Sequence, residues 1–195
     1  MVKARELLVV LVTFTALWGF VSPSLADAPK PDAADKQTVL GLYVDAAEAF
    51  QWIQDKKIAV VDVRAPEEIA FVGHTGLAPI IPVKLWKGEY VAKGGHLEPK
   101  MVDNERFVEE VSAKFKPEDT LIVLCRSGQR SAVAVNLLAK AGFKKAFTMV
   151  DGFEGDKAKD GPNKGKRTVN GWKNAGKPWT YSLTEGIVWS PGKSK

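Results

Sequence analysis

The chain has 195 residues, of which 45% are hydrophobic and 26% charged, too apolar for a disordered tail and too charged for a bundle of membrane spans. Its net charge of +5 is mild, and outside one late stretch its lysines are scattered, so a nucleic-acid partner is not expected. The single cysteine, Cys125, excludes an intrachain disulfide, a CxxC redox pair and a cysteine-rich zinc cluster together. In chain order, a basic start (MVKARE) leads into an apolar run over 7–21 and then SPSLADA, the order of a secretory signal peptide with a cut after Ala26. The run is short for a spanning helix, so export to a periplasm without stable membrane insertion after cleavage is the expectation. A Pro, Ala and Asp-rich stretch, 27–38, reads as a flexible lead-in. Asp45 and Glu48 form a capping-box-like pattern, and Ala46, Ala47, Phe50 and Ile53 repeat at helical spacing to about Lys56. IAVVDV at 58–63 follows, apolar on both faces, as in the middle of a parallel sheet. An apolar stretch over 79–85, a helical stretch with Phe107, Val108 and Val111, and a strand over 121–124 continue the alternation. Ser131 is expected to cap a helix through Lys140 that Gly142 ends, and 145–149 form another strand. The order predicts an α/β fold of one domain, a central, mostly parallel sheet flanked by helices, over 39–183 with a tail over 184–195.

Cys125 falls at the carboxyl end of a strand and just before a helix, the edge at which open α/β sheets bind ligands. The segment Cys125-Arg126-Ser127-Gly128-Gln129-Arg130-Ser131 can aim several backbone N–H groups at one point with a helix dipole behind them, an arrangement that favours an anion. Arg126 and Arg130 add positive charge, and Gly128 permits a tight turn. A cysteine in such a setting is a nucleophile rather than a packing residue.

From this loop outward the sequence resembles the rhodanese (thiosulfate sulfurtransferase) family. VVDVR at 60–64 is similar to the family's second-strand motif, Phe71-Val72-Gly73-His74 to its Gly-His turn, and CRSGQRS, AVAVNLLAKAGF and VDGFEG to its active loop, following helix and Gly-rich turn. NGWKNAGKP at 170–178 is similar to the stretch that ends the domain. The resemblance implies a loop in which Cys125 takes sulfane sulfur, holds it as a persulfide and passes it on, with no metal or other cofactor. By position, Cys125 is the nucleophile, Arg126 and Arg130 orient an anionic donor, the N–H groups of Ser127, Gly128, Gln129, Arg130 and Ser131 hold the persulfide, and Arg64 sits at the rim. Asp62 and His74 read as structural. Thiosulfate, a persulfide, cyanide or a thiol are the small-molecule partners implied, with a protein acceptor also open.

The chain departs from the family's pattern over 75–82 and carries two insertions, WKGEYVAKGGHLEPKMVDN at 86–104, expected to form a flap beside the site, and 156–168, which reads as a solvated polar loop. His96 in the first is expected to be a solvated loop residue. A calcium loop in the second is disfavoured, because Ala158 and Arg167 stand where oxygen ligands are needed. Two rival functions are a cysteine phosphatase or arsenate reductase and a persulfide carrier or binding module without turnover. The phosphatase chemistry needs Arg six positions after Cys, where this chain has Ser131.

Overall fold

The computed structural model describes residues 28–190. The expected signal peptide over 1–26 and the last five residues of the tail lie outside the described residues.

Four strands form a parallel sheet in the order β1-β6-β5-β2, from β1 (Tyr43–Val44), β2 (Ala59–Asp62), β5 (Thr120–Leu124) and β6 (Lys145–Met149). The fold is thus a single α/β domain with a parallel central sheet flanked by helices. Successive side chains of β5 go to opposite faces. Leu121 and Val123 pack with Phe107, Val111, Val135 and Leu138, whereas Ile122 and Leu124 pack with Ala49, Trp52, Phe147 and Trp172. Helix α1 (Ala46–Lys56) covers the second face, α3 (Phe107–Ser112) and α4 (Gln129–Lys140) the first. Each strand is therefore buried on both sides, which is why they read as continuous apolar runs. Asp45 caps α1, its Oδ1 accepting from Glu48 N–H at 2.8 Å.

The 79–83 stretch runs alongside β2 rather than as a full strand, through Ile81 N–H to Asp62 O (2.9 Å) and Val83 N–H to Val63 O (3.2 Å). Helix α2 (Pro66–Val72), not foreseen from the sequence, starts with Pro66, and the Glu68 carboxylate accepts from Ala65 N–H at 3.0 Å. Its short length and the 83% exposure of Phe71 leave no apolar period to read. The first insertion is an antiparallel hairpin, β3 (Lys84–Lys93) and β4 (His96–Asp103), standing outside the main sheet.

Two boundaries differ from expectation. Helix α4 begins at Gln129 with Gly128 at its N-cap, so Ser131 lies inside the first turn and is not the cap. Its hydroxyl instead donates to Gly128 O at 2.9 Å and lies 2.7 Å from Thr148 Oγ1. The 27–38 lead-in is held in place over its second half: residues 34–36 form a 3-10 turn, and Lys36 Nζ bonds Val150 O (3.1 Å) and Asp156 Oδ1 (2.8 Å). The tail also returns to the domain, Trp189 Nε1 donating to Glu110 Oε2 at 2.9 Å. Among the described residues no helix is long and apolar enough to cross a membrane.

Candidate active site

Strand β5 ends at Leu124 and delivers Cys125 to the carboxyl edge of the sheet, where α4 begins four residues later. The thiol is buried, and Gly128 N–H points at its sulfur at 3.2 Å; Ser131 Oγ lies 3.7 Å away. The first N–H groups of α4 have no acceptor within the helix, and its dipole adds positive potential at this end. Both effects direct positive potential at the place of the Cys125 sulfur, where an anionic donor would approach.

The loop is fixed from beneath by the turn after β6. Phe153 N–H donates to Cys125 O (2.8 Å) and Glu154 N–H to Arg126 O (3.0 Å). That contact needs bare backbone on both sides. Gly128 has φ 97°, and a Cβ there would sit 2.2 Å from Val150 O; at Gly152 (φ 65°) it would sit 2.6 Å from both Cys125 O and Ser127 N.

The expected site residues are brought together unequally. Ser127 is buried in the loop, and Gln129 reaches out to the Asp35 carboxylate. Arg126 is partly exposed, its Nε 3.7 Å from Glu154 Oε1. Arg130 forms a two-point pair with Glu68, Nη2 to Oε1 at 2.6 Å. Burial opposes both charges, yet each outweighs it for the other: Arg130 is held above the usual guanidinium range and Glu68 below the usual carboxylate range. Arg64 is not at the rim. It is fully buried, donates to Asp62 Oδ2 (2.6 Å) and Gly73 O (3.0 Å), and stacks over Phe153 at 4.0 Å. Ion pairing with Asp62 two residues earlier draws it inward. His74 is buried too, accepting from Gly76 N–H at Nδ1 (3.1 Å) with Nε2 3.1 Å from Ser182 O. His96 is exposed and faces Glu98.

A cavity of about 470 Å³ opens over Cys125, between Arg126 and Arg130 of the loop, Trp86 and Met101 of the hairpin, and Lys157 and Arg167 of the second insertion. The hairpin therefore stands beside the site. The second insertion is largely exposed, as expected, but it carries internal order: Lys157 and Arg167 pair across it as an antiparallel bridge, and Arg167 Nη1 donates to Gly155 O. Glu68, Lys157 and Arg167 are the neighbours that sequence reading missed. A helix-start pattern at Pro66-Glu67-Glu68 was available for the first; a run of lysines carries no such direction for the others. Among the described residues no group of His, Cys, Asp and Glu is arranged to hold a metal ion. A smaller depression of about 230 Å³ lies beside Asp45 and Asp151, away from Cys125.

The sequence profile described as the rhodanese-like domain matches residues 45–159. The chain is 33% identical over 122 residues to an uncharacterized protein of Rickettsia prowazekii, covering 63% of this chain and 82% of that one. It is 40% identical over 110 residues to Thiosulfate sulfurtransferase 18 of Arabidopsis thaliana, covering 56% of this chain and 74% of the relative. Among solved structures, the crystal structure of Rv0390 from M. tuberculosis is similar with a TM-score of 0.56 and 26% identity, covering 71% of this chain and 96% of that one.

Proposed function

Because the chain belongs to the rhodanese-like domain family, we propose that it is a sulfurtransferase that moves sulfane sulfur from an anionic donor such as thiosulfate to a thiophilic acceptor through a persulfide on Cys125. The observation that carries this reading is a lone cysteine at the carboxyl edge of a parallel sheet, with Gly128 N–H 3.2 Å from its sulfur and a helix start behind it. In the first half-reaction the Cys125 thiolate attacks the outer sulfur of thiosulfate; a Cys–S–S bond forms, the donor's S–S bond breaks, and sulfite leaves with the electron pair. In the second, an acceptor attacks the terminal sulfur and Cys125 departs as thiolate. With one cysteine in the sequence, no internal disulfide can complete the cycle, so two separate displacements and ping-pong kinetics follow. Arg126 and the α4 N-terminus attract the donor, while Arg130, tied to Glu68, contributes a fixed charge beside the loop. The name of the Arabidopsis relative, a thiosulfate sulfurtransferase, supports the same chemistry.

The test is the intact mass of the protein after incubation with thiosulfate. One added sulfur atom on the peptide containing Cys125, removed by cyanide, is expected. A reduced and accessible Cys125 that no sulfane donor loads would leave the binding-module reading ahead, and hydrolysis of an aryl phosphate at a comparable rate would favour the phosphatase. We further propose export to a periplasm through cleavage after Ala26, supported by the basic, apolar and small-residue order of the first 28 residues.

A further inference from the structure

The segment that enters the domain lies along the start of α4. The Gln129 side chain, at the first helical position, donates to the Asp35 carboxylate. About two turns further along the same face, Asn136 Oδ1 accepts from Val39 N–H at 2.8 Å. Between these two ties Lys36 turns inward, its side chain only 13% exposed. Its stem passes under the loop that carries Cys125, with Cδ 3.2 Å from the place a Cβ on Gly128 would take. Its ammonium donates to Val150 O at 3.1 Å and to both oxygens of Asp156 at 2.8 and 3.0 Å. Gly128 is pressed on that same Val150 carbonyl, since a Cβ there would sit 2.2 Å from the oxygen. Asp156 is held in turn by Asn170, whose Oδ1 accepts from Asp156 N–H at 2.8 Å and whose Nδ2 donates back to Oδ2 at 3.2 Å. One side chain thus braces the loop glycine against both ends of the turn after β6. That turn is the one whose Phe153 and Glu154 N–H groups hold the carbonyls of Cys125 and Arg126. A glycine has no side chain to fix it and has the most backbone freedom to lose, so the place of Gly128 depends on what packs against it.

We propose that Lys36 is a positioning residue for the nucleophile and acts through Gly128, whose N–H meets the Cys125 sulfur at 3.2 Å. The residues that line the cavity over Cys125 do not include Lys36, so it touches neither donor nor acceptor. What it fixes is the direction of the Gly128 N–H. When an acceptor attacks the terminal sulfur of the persulfide, a bond forms from the acceptor to that sulfur, the S–S bond breaks, and its electron pair stays on Cys125 Sγ. An N–H already aimed at Sγ stabilises the charge as it develops there. Without the brace, Gly128 samples the other conformations open to glycine, and its N–H meets the sulfur for only part of the time. The kinetic consequence rests on the sulfurtransferase reading; the hydrogen bond and its dependence on Lys36 do not.

The Gly128 amide resonance, followed by NMR in folded protein, reads that hydrogen bond without turnover. Cys125→Ala removes the sulfur and should displace the resonance when Lys36 is present. In a Lys36→Met background, which keeps the stem and removes the ammonium, most of that displacement should be gone, because the two changes act on one contact. Lys36→Arg should keep it, and so should Lys30→Met, an exposed change in the same lead-in that removes an equal charge. The rate at which persulfide-loaded protein discharges to cyanide should fall about tenfold in Lys36→Met, the size of one charge-assisted contact, and recover in step with the resonance in Lys36→Arg. Asp156→Asn, which loosens the same ammonium, should move both readouts in the same direction and carries the test if Lys36→Met does not fold. A displacement by Cys125→Ala that is equal with and without the Lys36 ammonium overturns the proposal and leaves Lys36 a tie that only stabilises the fold, as does a resonance that Cys125→Ala never moves. If native Cys125 never loads, the sulfurtransferase reading fails, while the resonance still decides what Lys36 does.

Discussion

Arg130 sits five residues after the nucleophile and is the side chain whose meaning changed most between sequence and structure. Read along the chain it is an anion-binding arginine; in three dimensions its guanidinium faces Glu68, 62 residues away. Arg130→Ala is still expected to slow sulfur uptake from thiosulfate by about tenfold or more, because a charge-assisted contact near the reacting anion contributes roughly 1.5–3 kcal/mol. An unchanged loading rate would make Arg130 a purely structural anchor. The pair also predicts a pH signature. The folded carboxyl of Glu68 titrates below its ordinary value of 4.5, so its stabilisation is fully present above that value and is lost as pH falls through the lower folded one. Glu68→Gln should therefore cost about 1–3 kcal/mol at neutral pH, given that both side chains keep 19% exposure. Urea midpoints of native and variant protein should converge in acid; a constant gap would show that the cost lies elsewhere. The Cys125–Ser131 loop was legible because its signal is local: a cysteine, two arginines and a glycine between a strand and a helix. Glu68, Lys157 and Arg167 were not, because their place at the site comes from long-range folding. Arg64 was misplaced for the reason that a charge is by default assigned to solvent, whereas Asp62 two residues before it supplies a buried partner.

At the level of elements, the junction of β5, the loop and α4 sets how many residues the loop holds. Because α4 already starts at Gln129, one residue inserted after Gln129 falls within the first helical turn and rotates Arg130 by about 100° around the axis, away from Glu68. Such an insertion should weaken persulfide loading even though it places the arginine six positions from Cys125, and phosphate esters should remain poor substrates. Loading that stays at the native rate would mean loop length is not what selects sulfur. The turn after β6 is tied to two other segments by Asp151, whose carboxylate accepts from Ala46 N–H (3.0 Å) and Gly171 N–H (2.9 Å). Burial pushes this carboxyl up to about 6 from 3.8. The folded state then holds the proton more tightly than the unfolded one, so this contribution is fully present below 3.8 and is lost as pH rises through about 6. Between pH 7 and pH 5 the urea midpoint of native protein should rise relative to that of Asp151→Asn; parallel curves would exclude Asp151 as the titrating group. Strands and the longer helices were readable from apolar runs and 3.6-residue spacing. Helix α2 was not, since seven residues with an exposed Phe71 give no period. The start of α4 was missed because a hydroxyl residue is the usual cap, and here Gly128, held against Val150 O, takes that place.

For the whole molecule, N-terminal sequencing of protein recovered from the periplasm should begin at Asp27, and recovery of the full-length chain in the membrane fraction would reject export with cleavage. The α/β architecture was legible as a whole because buried parallel strands leave a composition that no other layer arrangement explains. The hairpin was anticipated as a flap beside the site, and the solvation of the second insertion was legible from its lysines, whereas the bridge that sets Lys157 and Arg167 beside the cavity was not. The bond from Lys36 to Val150 O and Asp156 places the entering chain against the underside of the loop, with the Lys36 side chain next to Gly128. Ala28 precedes it by a stretch that spans at most about 28 Å when fully extended. The lead-in is thus a short leash whose fixed end lies beside the nucleophile. Any module joined upstream of Ala28 would meet Cys125 as an intramolecular partner, at an effective concentration on the order of millimolar, so a sulfur carrier fused there could deliver its cargo at a rate independent of dilution.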